Sequence, residues 1–301
     1  MSIPARWWLA ILCALAGMSW AGWVASGMGG KNTPPPLVEG VFWQPDNATA
    51  RPEGNWHLLG AETLVVQWLM VDGQAWYPSA DFPQWNRQPD WGRIASEPWA
   101  GRIVAGLSGR YSEPQARADL HRLGAEGQAI SQKPLPFTPH AFYFPVEADP
   151  SWLHVHQLRD TLAGLPRPLW VSVYAGERLP QNFDLWLESW LPPDVGVFFQ
   201  DGVGVGVRSP EEARRVADAL VQRFGSDRVA IVLEAFQPKS WGSGFRPASL
   251  AQLMQQLRAY CGLRIYLFDG PHYLSKTKVH LWRWWSNWRQ TCAPAAGEPQ
   301  E

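Results

Sequence analysis

Beyond residue 37 the chain alternates short apolar runs with longer stretches whose apolar positions recur every three or four residues. The short runs are Gly40–Gln44, Thr63–Met70, Arg102–Leu107, Ala141–Val146, Leu169–Tyr174, Val195–Gln200, Val229–Leu233 and Leu263–Phe268. They are rich in β-branched and aromatic residues, and several are almost wholly apolar. Strands of a parallel sheet covered on both faces read this way.

The intervening stretches read as helices. They are Gln115–Ile130, Ser151–Leu165, Asn182–Trp190, Pro210–Phe224, Ser249–Tyr260 and Lys278–Gln290. Pro210–Phe224 is the clearest, because Ser209 and Glu212 form a capping box and Val216, Ala219 and Leu220 form an apolar stripe. The segment between Pro45 and Thr63 is too short and too rich in Pro and Gly for a regular first helix. Strand and helix alternating through eight units predict one α/β domain, a closed (β/α)8 TIM barrel over residues 38–293. An open doubly wound sheet is the alternative, but no GxGxxG turn follows the first strand.

Both ends of the chain differ from this pattern. Arg6 precedes an uncharged apolar stretch, Trp7–Met28, and Val24-Ala25-Ser26 offers small residues for cleavage. Residues 1–26 therefore read as a signal peptide, or as a retained inner-membrane anchor. Residues 27–37 are a Pro-rich linker, and 294–301 a disordered tail. The expected location is exported and periplasmic. Cys261 and Cys292 remain once the leader is set aside; they could pair in an oxidising compartment or be two separate buried thiols, and pairing is the expectation.

Charge narrows the function. Lys and Arg number 26 against 27 Asp and Glu, a formal net charge of −1, which excludes the broad basic field of a general nucleic-acid binder. The 20 Trp are more than one core readily hides. Most should pack between barrel and helices, and some should face a ligand with flat apolar surfaces, such as a sugar. Ligand affinity is accordingly expected to rest on exposed aromatic faces more than on charge. Trp282, Trp284, Trp285 and Trp288 recur at helical spacing and read as the core-facing side of the last helix.

In a TIM barrel the chemistry lies at the C-terminal strand ends. The residues there include Gln44, Gln67, Ser108, Glu147, Tyr174, Gln200, Asp201, Glu234 and Asp269. Carboxylates clustered on one rim repel one another unless something uses them. Glu147 and Glu234 end the fourth and seventh strands, and retaining glycoside hydrolysis needs two carboxyls about 5 Å apart. Glu147, in an apolar setting, is expected to be the acid/base and Glu234 the nucleophile. The expected substrate-binding residues are Trp43, Gln44, Gln67, Trp68, Tyr111, Tyr143, Tyr174, Gln200, Asp201, Phe236, Trp241 and Asp269. The segment 201–206 (DGVGVG) lacks the Lys-Ser/Thr of a phosphate-binding loop and reads as a tight turn near substrate. His154 and His156 diverge on a helix and read as surface residues. No cofactor and no metal are expected.

Several motifs resemble a known family. Gly40-Val-Phe-Trp-Gln44, Leu59-Gly-Ala-Glu-Thr-Leu-Val-Val-Gln67, Ala105-Gly-Leu107, Phe142-Tyr-Phe-Pro-Val-Glu-Ala-Asp149, Ser172-Val-Tyr174, Gln200-Asp-Gly-Val-Gly204 and Glu234-Ala-Phe236 occur in this order. The chain resembles the bacterial domain of unknown function 4434 family, grouped with TIM-barrel glycoside hydrolases, over most of residues 38–275. The resemblance implies the barrel and a sugar-cleaving role; the shortened first helix departs from it. The expected activity is an exported retaining glycoside hydrolase acting on a bacterial polysaccharide. The other reading is a barrel that binds polysaccharide or oligosaccharide without cleaving it, within export or biofilm machinery.

Overall fold

The structure, a computed structural model, describes residues 36–176, 179–288 and 292. The leader, most of the linker and the C-terminal tail lie outside the described residues. The barrel strands are β1 (Gly40–Trp43), β2 (Thr63–Val66), β3 (Arg102–Gly106), β4 (Ala141–Ala148), β5 (Leu169–Val173), β6 (Val195–Gln200), β7 (Val229–Glu234) and β8 (Ile265–Phe268). Each pairs in parallel with its sequence neighbours, and β8 pairs with β1 to close the ring. The fold is the expected α/β barrel.

Closure follows from the apolar pattern. Successive strand side chains point to opposite faces. Phe42, Val65, Val104, Tyr143, Phe198, Val232 and Tyr266 fill the barrel interior as one cluster. Their chain neighbours Val41, Leu64, Ile103, Phe144, Val197, Ile231 and Leu267 belong to the separate layer beneath the helices. Strands buried on both faces must be apolar at nearly every position, as these are.

The helices are α1 (Trp91–Ala95), α2 (Glu113–Ala118), α3 (Leu120–Ser131), α4 (Gln157–Ala163), α5 (Phe183–Trp190), α6 (Pro210–Phe224), α7 (Leu250–Ala259), α8 (Gly270–Tyr273) and α9 (Lys276–Trp288). The Ser209–Glu212 capping box opens α6 as expected, and a second box, Ser249 with Gln252, opens α7. The single helix expected over 115–130 is instead two, α2 and α3. Asp119 turns aside between them, and its carboxylate takes the Arg110 guanidinium at 3.0 Å. Only the short 3-10 turn Trp56–Leu59 lies between β1 and β2.

On α9 the face differs from expectation. Trp282 is buried and Trp285 packs against the core, but Trp284 is 65% exposed. Trp282 to Trp285 is one helical step of three, whereas Trp284 falls on the other side. The Trp288 side chain lies outside what is described. Cys261, just after α7, is disulfide-bonded to Cys292, with Cα atoms 5.1 Å apart. Among the described residues no helix is long and apolar enough to cross a membrane.

Candidate functional site

Strand alternation sorts the rim residues into two sets. Continuing the inward positions past Phe42, Val65, Tyr143, Ser172, Phe198 and Val232 brings Gln44, Gln67, Glu147, Tyr174, Gln200 and Glu234 to the mouth of the barrel. All but Glu234 are partly exposed. The outward positions receive Trp43, Asp201 and Asp269, and each of these is fully buried. A two-residue period thus splits the expected site in half.

Glu147 is the centre of the accessible set. Gln200 Nε2 donates to its Oε2 at 2.5 Å, linking β4 to β6 across the mouth. Its peptide is held from both sides by α2. The Glu147 N–H donates to Glu113 Oε1 at 2.7 Å, and Arg117 Nη2 donates to the Glu147 carbonyl at 3.0 Å. This grip falls where the β4–β5 register shifts between Phe144 and Ala148, a bulge of the kind that re-aims a strand-end side chain. Burial raises the Glu147 pKa; the Gln200 hydrogen bond and the Arg117 charge oppose the rise. Glu113 is pushed up to about 7, by burial and then by the Glu147 charge.

Glu234 is only 4% exposed. The turn after β6 runs over it, and Val205 N donates to Glu234 Oε2 at 3.1 Å. A Cβ on Gly204 would stand 2.6 Å from Glu234 Cβ and 2.7 Å from the Phe236 carbonyl oxygen, so only glycine lets the turn approach this closely. Backbone N–H groups that could have met a phosphate are directed at carboxylates instead. Val203 N donates to Asp201 Oδ1, and Tyr260 donates its hydroxyl to Asp201 Oδ2 at 2.8 Å. Burial raises the pKa of both Asp201 and Glu234, and the Asp201 charge raises Glu234 further. Two such close carboxyls cannot both ionise readily, and Asp201 has the more donors. Burial and the neighbouring Asp201 charge together favour the protonated form of Glu234.

Tyr174, just past β5, feels the charge of both carboxyls. After burial, the charges of Glu234, Arg208 and Glu147 are the largest influences on its phenol. Arg208 fastens the turn, donating to the Asp201 carbonyl at 2.9 Å and to the Ala175 carbonyl. On the opposite side of the mouth, His272 sits between two carboxylates. Its Nδ1 lies 2.7 Å from Asp269 Oδ2 and its Nε2 3.1 Å from Asp46 Oδ2. The Asp269 hydrogen bond is the main cause that pushes His272 up to about 9. Asp269 Oδ2 also accepts from Gln44 N at 3.1 Å, so this acid ties β1 to β8 instead of facing a ligand.

Of the expected aromatic platforms, most are walls. Trp43 packs against Trp91, and Trp68 belongs to a small buried cluster with Trp76 and Val71. The Tyr143 hydroxyl is hydrogen-bonded to Ser172 inside the barrel at 2.6 Å. Phe236 is buried against Phe245 and Tyr273. Trp43, Trp68, Tyr143 and Phe236 therefore present no free face. Three expected rings stay accessible: Tyr174, partly exposed at the mouth, Tyr111, 50% exposed, and Trp241, 90% exposed within the hairpin turn joining Phe236–Pro238 to Phe245–Pro247.

Glu113, Arg117, Arg208 and His272 were not singled out by sequence. Glu113 looks like an ordinary acid in the first turn of a helix, where the dipole favours it. His272, three residues past Asp269, carried a usable signal, since that spacing on a helical turn lets the pair meet. Exposed His154 and His156 are surface residues, as read. Among the described residues no group of three or more His, Cys, Asp and Glu could hold a metal ion.

The chain was compared with protein-family models, with curated proteins and with solved structures, and nothing matches.

Proposed function

We propose that the barrel mouth is a glycan-cleaving site of the retaining type, with Glu147 and Glu234 as its two reacting carboxyls. The observation that carries this reading is the pairing of unlike environments at the ends of β4 and β7. Burial raises Glu147, but a 2.5 Å amide donor and a nearby guanidinium oppose that rise and favour its anion. Glu234 has Asp201 beside it, which favours its acid. Paired carboxyls with separated proton affinities are what glycosidic cleavage needs.

These hydrogen bonds support a division of labour opposite to the one expected from sequence. Glu234 protonates the glycosidic oxygen as the C–O bond breaks, and Glu147 attacks the anomeric carbon to form a glycosyl ester. Water, deprotonated by the Glu234 carboxylate, then cleaves the ester. Tyr174, Gln200, Gln44 and Gln67 line the mouth as hydrogen-bonding partners for sugar hydroxyls, and Tyr111 and Trp241 offer stacking faces. The motif resemblance to the domain of unknown function 4434 family points the same way. Export to an oxidising compartment accords with the Cys261–Cys292 disulfide.

The burial of Glu234 beneath the Gly204 turn favours a second reading, a barrel that binds polysaccharide without cleaving it. Reducing-end release over a panel of bacterial exopolysaccharides, with wild type, Glu147→Gln and Glu234→Gln, tests both. The hydrolase reading expects loss in both variants on natural glycans. With an activated aryl glycoside, Glu234→Gln should keep its first step and Glu147→Gln should not. A rescued Glu147→Gln restores the roles expected from sequence. Binding without cleavage by wild type leaves the second reading.

A further inference from the structure

Two loops leaving the barrel mouth, one after β1 and one between β2 and α1, enclose a polar hollow of about 510 Å3. It is lined by Asn47, Ala48, Ala50, Arg51, Asn86, Arg87 and Gln88, with no carboxylate among them. Arg87 Nη1 donates to the Asn47 carbonyl at 2.9 Å, which ties the two loops together and fixes one guanidinium at the hollow. Neither Arg51 nor Arg87 forms an ion pair among the described residues, whereas Arg93, Arg167, Arg214, Arg223 and Arg264 all do. The acids nearest in sequence are already committed: Glu53 pairs with Lys276 at 3.0 Å, Asp90 caps α1 by accepting from Arg93 N, and Asp46 holds its own turn and His272. Asp46 Oδ1 accepts from Ala48 N and Thr49 N, and its Oδ2 meets His272.

Two cations sharing a hollow without a counter-charge repel one another, so an anion bound between them removes that repulsion as well as gaining two charge-assisted contacts. A second observation points to a polyhydroxylated ligand. Gln88 directs its amide N–H groups to the Ala75 and Trp85 carbonyls, leaving its buried Oε1 without a donor. Beside it the Trp85 ring, partly exposed, stacks on Trp76 at 5.0 Å and meets Tyr111 edge-on at 6.5 Å. Cationic forks and the side-chain amides of Asn47, Asn86 and Gln88 lining the hollow match a sugar carrying a carboxylate.

We propose that this hollow is a subsite for an acidic sugar, whose carboxylate bridges Arg51 and Arg87 and whose hydroxyls meet Gln88 and the two asparagines. The proposal deepens the glycan reading of the barrel mouth, on which it rests, by naming polyuronates as the substrate class. It moves affinity from aromatic faces alone toward charge, because the fold buries most of the rings that sequence offered as platforms.

Calorimetric titration with oligomers of galacturonate, mannuronate and glucuronate, each against its own methyl ester, isolates the charge. At least one acid oligomer should bind about tenfold or more tightly than its ester, the size expected of a charge-assisted contact. Arg51→Gln should abolish that preference, and added salt should weaken it. Among the described residues the Arg51 side chain makes no hydrogen bond or ion pair, so an unchanged unfolding midpoint will separate binding from folding. Arg87→Gln gives an independent second variant. Equal binding of every acid and its ester, or an acid preference that survives both substitutions, overturns the proposal. Displacement of the oligomer by equimolar inorganic phosphate reduces the hollow to a plain anion site and overturns it too. If uronates bind through Arg51 and Arg87 yet wild type cleaves none, the hydrolase reading falls and the subsite stands. If wild type cleaves neutral glycans and ignores uronates, the reverse holds.

Discussion

Tyr260 at the end of α7 donates its hydroxyl to the Asp201 carboxylate at the end of β6, 2.8 Å away and wholly inside the protein. Asp201 is thereby an anchor between the strand ring and the helix layer, not a ligand for substrate. Tyr260→Phe leaves a buried carboxylate short of one donor, and should cost about 1–3 kcal/mol of stability. Urea unfolding of wild type and variant measures it; no change would mean that Asp201 is satisfied without Tyr260.

Folding raises the proton affinity of both Glu234 and His272. A carboxyl or imidazole raised in this way gives its full stabilisation below its unfolded pKa and loses it as pH rises through the folded one. For Glu234, raised to about 8 by burial and then by Asp201, stability should fall from the ordinary carboxylate range to about pH 8. For His272 the fall should run from about pH 6.5 to about 9. Glu234→Gln should flatten the lower part of a plot of unfolding midpoint against pH, and His272→Gln the upper part.

Gly204→Ala places a methyl group against Glu234 Cβ and the Phe236 carbonyl oxygen. Both neighbours belong to the strand end or its backbone, so the turn must lift. A loss of about 1–3 kcal/mol in stability is expected, together with a larger loss of glycan turnover than Gly206→Ala produces. A Cβ on Gly206 would meet nothing within 4 Å, although its φ of +79° gives that variant a backbone cost of its own. Equal turnover in the two variants would show that the closeness of the turn to Glu234 is immaterial.

The disulfide closes a sequence separation of 31 residues around β8 and α9. In the chain-entropy model its loss should cost about 3–4 kcal/mol. Thermal unfolding of Cys261→Ser/Cys292→Ser should begin lower than in wild type, and thiol counting on denatured, unreduced wild-type protein should find neither Cys261 nor Cys292 free.

Trp241 is 90% exposed, so Trp241→Ala should leave stability unchanged while weakening glycan binding. Trp68→Ala, which empties a buried position, should instead destabilise by about 3–5 kcal/mol. Titration and unfolding of the two variants side by side check this reversal of the roles that sequence assigned alike.

The eightfold alternation of strand and helix was legible from sequence, because strands covered on both faces must be apolar and the capped, amphipathic α6 must pack on them. Period two also carried Glu147, Tyr174, Gln200 and Glu234 to the strand ends in the right order. Sequence did not separate Gln44 from Trp43, or Gln200 from Asp201, as adjacent residues share every local signal and differ only in which side of a closed ring they face. Nor could it bring Glu113 to the Glu147 peptide, Asp46 to His272 or Arg87 to the Asn47 carbonyl. Those meetings depend on where separate loops come to rest over the barrel mouth, and long-range electrostatics leaves no trace in local periodicity. The chain order determined the barrel; its closure decided which carboxyls hold protons and which rings stay dry.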